Sequence, residues 1–78
     1  AADHALWEAL RAHRLAVARS AGVPPYVVAH DRTLAEIVHA KPRTQDELAQ
    51  VYGMGPARMA RHGEGLLALV QRHLEASP

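Results

Sequence analysis

The chain has 78 residues, 49% of them hydrophobic, a formal net charge of +1 and no cysteine. A chain this short buries only about 60% of its unfolded surface, so one compact core is expected. The missing cysteines exclude a disulfide framework, a thiolate nucleophile and a cysteine-based metal site, and they fit a reducing compartment.

The first predicted element is a helix. Asp3 precedes an apolar run, Leu6, Trp7, Leu10, Val17 and Ala18, at three- and four-residue steps, and Gly22 offers a natural C-terminus. Residues 1–5 read as a linker and the start of this helix, 6–75 as the helical domain, and 76–78 as the end of a linker. In the segment Val23 to His30 two adjacent prolines exclude a continuing helix and bias Val23 to extended backbone, leaving room for one short turn. Asp31 is placed to cap a second helix carrying Leu34, Ile37 and Val38, which Pro42 closes by forcing Lys41 out of the helical region. Thr44 and Glu47 have the spacing of a capping box ahead of Leu48 and Val51, so a third short helix follows. After Gly53-Met54-Gly55, Pro56 suits the first position of a fourth helix, Ala57 to His62, with Gly63 as its stop. A fifth runs from about Glu64 to Glu75, with Leu66, Leu67, Val70 and Leu74 on one face. With no alternating strand pattern and no repeat, the expected fold is all-α, a compact bundle of about five short helices.

The residues argue against catalysis. No two of the six histidines lie three to five apart, as a metal-binding pair on one helix face would need. Ser20 and Ser77 stand in no nucleophile motif, the carboxylates form no acid and base pair, and there is no Gly-x-x-x-x-Gly-Lys phosphate loop. His73 borders the last apolar stripe and is expected to be packed and hydrogen-bonded. No apolar run reaches the roughly 18 residues of a membrane span, and no basic-then-apolar signal opens the chain. A soluble protein without membrane contact is expected.

The positive charge is locally segregated. Arg11, Arg14 and Arg19 are the only charges between Glu8 and Asp31, Lys41 and Arg43 nearly adjoin, and Arg58 and Arg61 lie in a stretch without an acid between Glu47 and Glu64. Arg14 falls in line with Leu10 and Val17, on the apolar stripe, so its guanidinium needs a partner such as Asp31, Glu36 or a carbonyl. Arg19 points away from that stripe and Arg11 sits at its edge, which leaves both able to meet phosphate.

Taken in order, Leu-x-x-x-Leu-Arg-x-x-Arg with its aromatic Trp7, Val-Pro-Pro-Tyr-Val-Val, Asp-x-Thr-Leu, Pro-x-Thr-x-x-Glu-Leu, and Gly-Met-Gly followed after seven residues by Gly63 resemble the HRDC domain. This helical module occurs at the C-termini of RecQ-family helicases and ribonuclease D, and the resemblance spans about residues 6 to 70. It implies a five-helix fold and an auxiliary role in a DNA-unwinding enzyme, with a bacterial RecQ-type parent ahead of ribonuclease D. The expected partner is single-stranded or branched DNA, bound weakly, with the helicase core of the same chain and repair proteins beside it. The domain itself needs no cofactor, ATP and Mg²⁺ belonging to the parent. It is expected as a monomer, in the bacterial cytoplasm with the nucleoid.

Within that frame Tyr26 has two readings: a ring laid over the bundle with its hydroxyl in water, or a rigidly presented platform for an unpaired base. Arg11, Arg19, Lys41, Arg43, Arg58 and Arg61 are candidate phosphate contacts. Gly53 and Gly55 belong either to a plain helix connection with Met54 packed inward or to a phosphate contact like that of helix-hairpin-helix motifs. The sequence departs from the pattern at Ala29 and His62, where a larger aromatic is expected, and at Arg58, where lysine is common. The competing function is a docking module that regulates the motor without touching DNA, favoured by the near-neutral charge and by any exposed apolar patch around Val27 and Val28.

Overall fold

A computed structural model describes residues 2–76. Five helices follow one another, α1 (Ala2–Ala21), α2 (Pro25–Val28), α3 (Asp31–Ala40), α4 (Gln45–Ala49) and α5 (Pro56–Ala76), and no strand occurs among the described residues. Ser77 and Pro78, read above as linker, lie outside the described residues, as does Ala1. The first turn of α1 belongs to the packed domain, because Asp3 there pairs with Lys41 at 2.7 Å.

The core is built from one apolar stripe per helix. Leu6 and Leu10 of α1, Leu34 and Ile37 of α3, Leu48 of α4, and Leu66, Leu69 and Val70 of α5 are buried together, with Ala29, Val51 and Met54 supplied by the connections. Trp7, Val38, Leu67 and Leu74 pack at its margin.

Three connections work by the local chemistry their residues bring. Lys41 closes α3 in the left-handed region, φ 47° and ψ 61°, where the following Pro42 disfavours helix. Thr44 caps α4 by accepting the Glu47 amide at 3.1 Å, while the Glu47 carboxylate reaches back to the Arg43 amide at 2.9 Å. Gly53 adopts φ 81°, and a Cβ there would stand 2.6 Å from the Thr33 hydroxyl, so both backbone and space demand glycine.

The structure departs from the sequence reading in two places. The fourth and fifth predicted helices are one continuous helix, α5, with Gly63 buried inside it. Gly63 is not a stop but a point of close approach: a Cβ would lie 3.2 Å from both the Gln45 Oε1 of α4 and the Met59 Cε. The five-helix count holds because the proline segment supplies the missing member as α2, a single turn with Pro25 at its start. Asp31, expected as an N-cap, is the first residue of α3 behind His30, and its carboxylate turns instead to Arg14.

Two ion pairs set the register of α1 against α3. Arg14 meets Asp31 at 2.7 Å and Asp3 meets Lys41 at 2.7 Å. Asp3 to Arg14 spans about 16 Å of helix axis and Asp31 to Lys41 about 15 Å, so the two antiparallel helices are pinned at matching distances.

Candidate nucleic-acid interface

Tyr26 is held outside the bundle by its neighbours. Val28 and Ala29 are fully buried, and the Val27 amide donates to the Pro24 carbonyl at 3.0 Å, so the single turn of α2 is anchored by its C-terminal side. The turn's geometry then places Tyr26 and Val27 in solvent, 60% and 42% exposed. The tyrosine ring lies nearly parallel to His30, centroids 6.3 Å apart and planes 24° from each other. Of the two valines whose joint exposure would favour a docking module, Val28 is in the core and only Val27 remains outside.

Arg58 ties this loop to the glycine turn. Its guanidinium donates to the Gly53 carbonyl at 3.1 Å and to the Tyr26 carbonyl, 32 residues from Arg58 in sequence, at 3.3 Å, joining the two segments along the two sides of one planar fork. Part of its donor capacity is therefore structural rather than free for phosphate.

Beside it stands a second exposed aromatic that sequence reasoning missed. Tyr52 is 48% exposed, with the Arg32 guanidinium 3.9 Å above its ring centroid. Its backbone is fixed on both sides: the amide donates to Glu36 at 2.8 Å and the carbonyl accepts from the buried Thr33 hydroxyl at 2.7 Å. Glu36 in turn faces Arg32 at 3.5 Å. Arg32 and Tyr52 are 20 positions apart and unremarkable singly, so only the packing of α3 on the glycine turn brings them together. No local motif signals the pair.

A shallow groove lined by Arg14, Pro25, Tyr26, His30, Asp31 and Arg32 runs past the tyrosine. It adjoins a second groove at Arg14 and Pro25, which continues to Leu15, Arg11 and Glu8. Arg14 is a structural member of this floor, donating to the Ala29 carbonyl at 3.1 Å as well as to Asp31. Arg11 has only a long contact to Glu8, 3.6 Å, with both side chains about half exposed.

The other sequence candidates divide. Arg19 is exposed in the last turn of α1, shortly before the Tyr26 loop, and Arg61 is exposed one turn beyond Arg58 on α5. Lys41 lies at the opposite end of α3 from Asp31, engaged with Asp3 and, at 2.9 Å, with the Val38 carbonyl. The Asp3 carboxyl is held below its ordinary range by that hydrogen bond and by the lysine's charge. Arg43 lines a separate cleft with Gln71, Leu74 and Glu75, toward the far end of α5. Lys41 and Arg43 therefore do not join Tyr26 in one surface. Gly53 is taken up by the turn, close against the Thr33 hydroxyl and with its carbonyl bonded to Arg58, whereas Gly55 is exposed with open space at its Cβ position.

His62 sits half-buried on α5 beside Arg61 and Arg58, facing His13 of α1. Burial, then the positive charge of Arg61, His13 and Arg58, holds its imidazole below the usual histidine value. Ala29, the other departure from the aromatic pattern, is fully enclosed in the core. Among the described residues no group of three or more His, Asp or Glu side chains is arranged to hold a metal, and no helix is long and apolar enough to cross a membrane.

These features define a class: an all-α module that builds a surface of aromatic and cationic side chains around a core that is apolar apart from the buried, hydrogen-bonded Thr33. The chain belongs to the HRDC domain family, whose profile matches residues 3–70. It is 35% identical over 71 residues to the ATP-dependent DNA helicase RecQ of Haemophilus influenzae and 38% identical over 68 residues to that of Bacillus subtilis. These matches cover 91% and 87% of this chain but 12% of each relative, so the chain spans about an eighth of their length. The ATP-dependent DNA helicase UvrD2 of Mycobacterium bovis is 33% identical over 69 residues, 88% of this chain and 10% of that protein. The third HRDC domain of D. radiodurans RecQ has a similar structure, with a TM-score of 0.90 at 34% identity, covering 95% of this chain and 97% of that one.

Proposed function

We propose that this domain is an accessory module of a RecQ-family ATP-dependent DNA helicase and that it binds single-stranded or branched DNA weakly through the Tyr26 end of the bundle. The observation that carries this reading is a tyrosine 60% exposed on a loop whose flanking residues are buried and whose carbonyl is clamped by Arg58. A ring so held loses little entropy when a base stacks on it. Arg19, Arg32 and Arg61 supply charge to meet phosphates near it, and Tyr52 offers a second ring. The RecQ relatives favour that parent over UvrD2 because two of them show higher identity than UvrD2 and a RecQ domain shares the fold.

The domain performs no chemistry in this reading; the parent supplies the ATP and Mg²⁺ sites. Weak affinity suffices there, because a tethered module acts at an effective concentration of about 1 mM for a short linker. The test is a two-dimensional NMR titration of the labelled domain with a short single-stranded oligonucleotide at low and moderate salt. Salt-sensitive shifts clustered on Tyr26, His30, Arg32, Tyr52 and Arg58 are expected. Their complete absence at high DNA concentration would overturn DNA binding and leave docking to the helicase body as the function.

A further inference from the structure

Beyond the Tyr26 loop, one face of α5 gathers basic side chains that make no ion pair among the described residues. Arg58, Arg61, His62 and Gly65 follow the three- and four-residue steps of a single helix face. From α1, His13 rests on that face: its Nε2 lies 3.1 Å and its Cε1 3.2 Å from where a Cβ of residue 65 would stand, so Gly65 makes the seat for the imidazole. Among the described residues no carboxylate lies within ion-pair distance of Arg58, Arg61, His13 or His62. The charged groups acting on His62 are Arg61 and Arg58 from its own helix and His13 from α1, all basic; Glu64, two positions on, makes no ion pair with them, and the α4 side chain against Gly63, Gln45, is neutral.

Folding has thus placed side by side basic groups that repel one another, at the point where Arg58 reaches the Tyr26 carbonyl. A polyanion relieves that repulsion; a neutral partner does not. We infer that the α5 face formed by Arg58, Arg61 and His62, with His13 seated beside it, is a phosphate-binding track for the backbone of a nucleic-acid strand, and that engaging the strand draws a proton from water onto the His62 imidazole. The inference rests on the DNA-binding reading above and extends it along α5 and to a proton. Burial and its basic neighbours bias the His62 imidazole of the free domain toward its neutral form. A phosphate close to it opposes both effects, so binding tightens as the pH falls.

The experiment is fluorescence anisotropy of a labelled single-stranded oligonucleotide with the domain, at constant ionic strength, at pH 7.5 and pH 5.5. Affinity is expected to rise roughly threefold to tenfold at the lower pH, within the tenfold per pH unit that one proton allows. His62→Gln should flatten this response, and His62→Phe, which restores the aromatic of the family pattern, should also flatten it if the glutamine variant folds poorly. His30→Gln should keep the response, separating the track from the imidazole stacked on Tyr26. Binding that is equal at both pH values, or a response that survives both His62 variants, overturns the track and leaves the Tyr26 reading standing. Absence of binding at either pH overturns both.

Discussion

Arg14 and Asp31 are joined at 2.7 Å across two very different environments, the guanidinium side chain 12% exposed and the carboxylate 77%. The buried end carries the stability, because Arg14 also satisfies the carbonyl of the fully buried Ala29 and lays its aliphatic stem against the bundle. Arg14→Ala is expected to cost about 2–3 kcal/mol, from lost packing and a carbonyl left without its donor. Arg14→Met keeps the stem and should cost about 1 kcal/mol, and Asp31→Asn, which leaves a partly buried cation with the carbonyl alone, about 1–2 kcal/mol. Urea unfolding measures all three; an Asp31→Asn variant as stable as the parent would show that the ion pair adds nothing to the packing.

The two glycines of the turn before α5 should behave in opposite ways. Gly53→Ala meets both a positive φ of 81° and the Thr33 hydroxyl at 2.6 Å, and is expected to lose about 2–4 kcal/mol. Gly55→Ala finds open space and no positive φ, and should stay within about 0.5 kcal/mol of the parent. Thermal melts of the two variants check the contrast, and equal losses would contradict the assigned geometry.

Tyr26→Ala should weaken oligonucleotide binding by about 1–3 kcal/mol while leaving the melting temperature nearly unchanged, since the ring contributes little to the core. Tyr26→Phe retains the stacking face and should bind like the parent. Loss of affinity on removal of the hydroxyl alone would point to a hydrogen bond in place of stacking. Tyr52→Ala tests the second ring by the same measurement, with a smaller expected loss because Arg32 already covers one of its faces.

Salt provides an independent check on the cations. If three or four phosphates are neutralised, the logarithm of the binding constant should fall with that of the salt concentration with a slope of about −2 to −3, from a dissociation constant of about 100 μM at physiological salt. Lys41→Gln and Arg43→Gln, at the far end of the bundle, should leave that slope unchanged, whereas Arg61→Gln should reduce it by about one phosphate's share. A flat salt response would remove the electrostatic component altogether.

Acid should destabilise the fold through His62. Its folded-state value is lowered, so the unfolded chain binds the proton first, and stability falls as the pH drops below about 6.5, the ordinary histidine value. His62→Phe should remove that part of the pH dependence, as read from denaturation midpoints at pH 7.5 and pH 5.5. A midpoint difference identical to the parent's would mean that the imidazole is as well accommodated charged as neutral.

Much of this architecture is legible in the sequence because short-range chemistry writes it there. The apolar steps of α1 and α3, the Pro42 that turns Lys41 left-handed, and the Thr44 cap each depend on residues within four positions of one another. Arg14 is readable for a related reason: a cation on an apolar stripe announces that it needs a partner, and Asp31 was among the few acids in range. Gly63 misleads because a glycine that ends a helix and a glycine that admits a neighbouring helix look alike until the neighbour, Gln45, is in place. The Arg32–Tyr52 pair and the Arg58 bridge are invisible for the same reason on a larger scale, since both join segments that meet only when α3, α2 and the glycine turn converge.

The unbroken course of α5 has a mechanical meaning. With 21 residues it measures about 30 Å, nearly the 36 Å length of the whole molecule, and no hinge interrupts it at Gly63. Its Arg58 end and its Leu74 end are two ends of one lever whose fulcrum is the buried Leu66–Val70 segment. A tilt of about 5° about that fulcrum moves the Leu74 end, about 9 Å beyond it, by about 1 Å, so displacement of the Arg58 end is expected to reach the cleft of Arg43, Gln71 and Glu75 as a smaller movement of opposite sense.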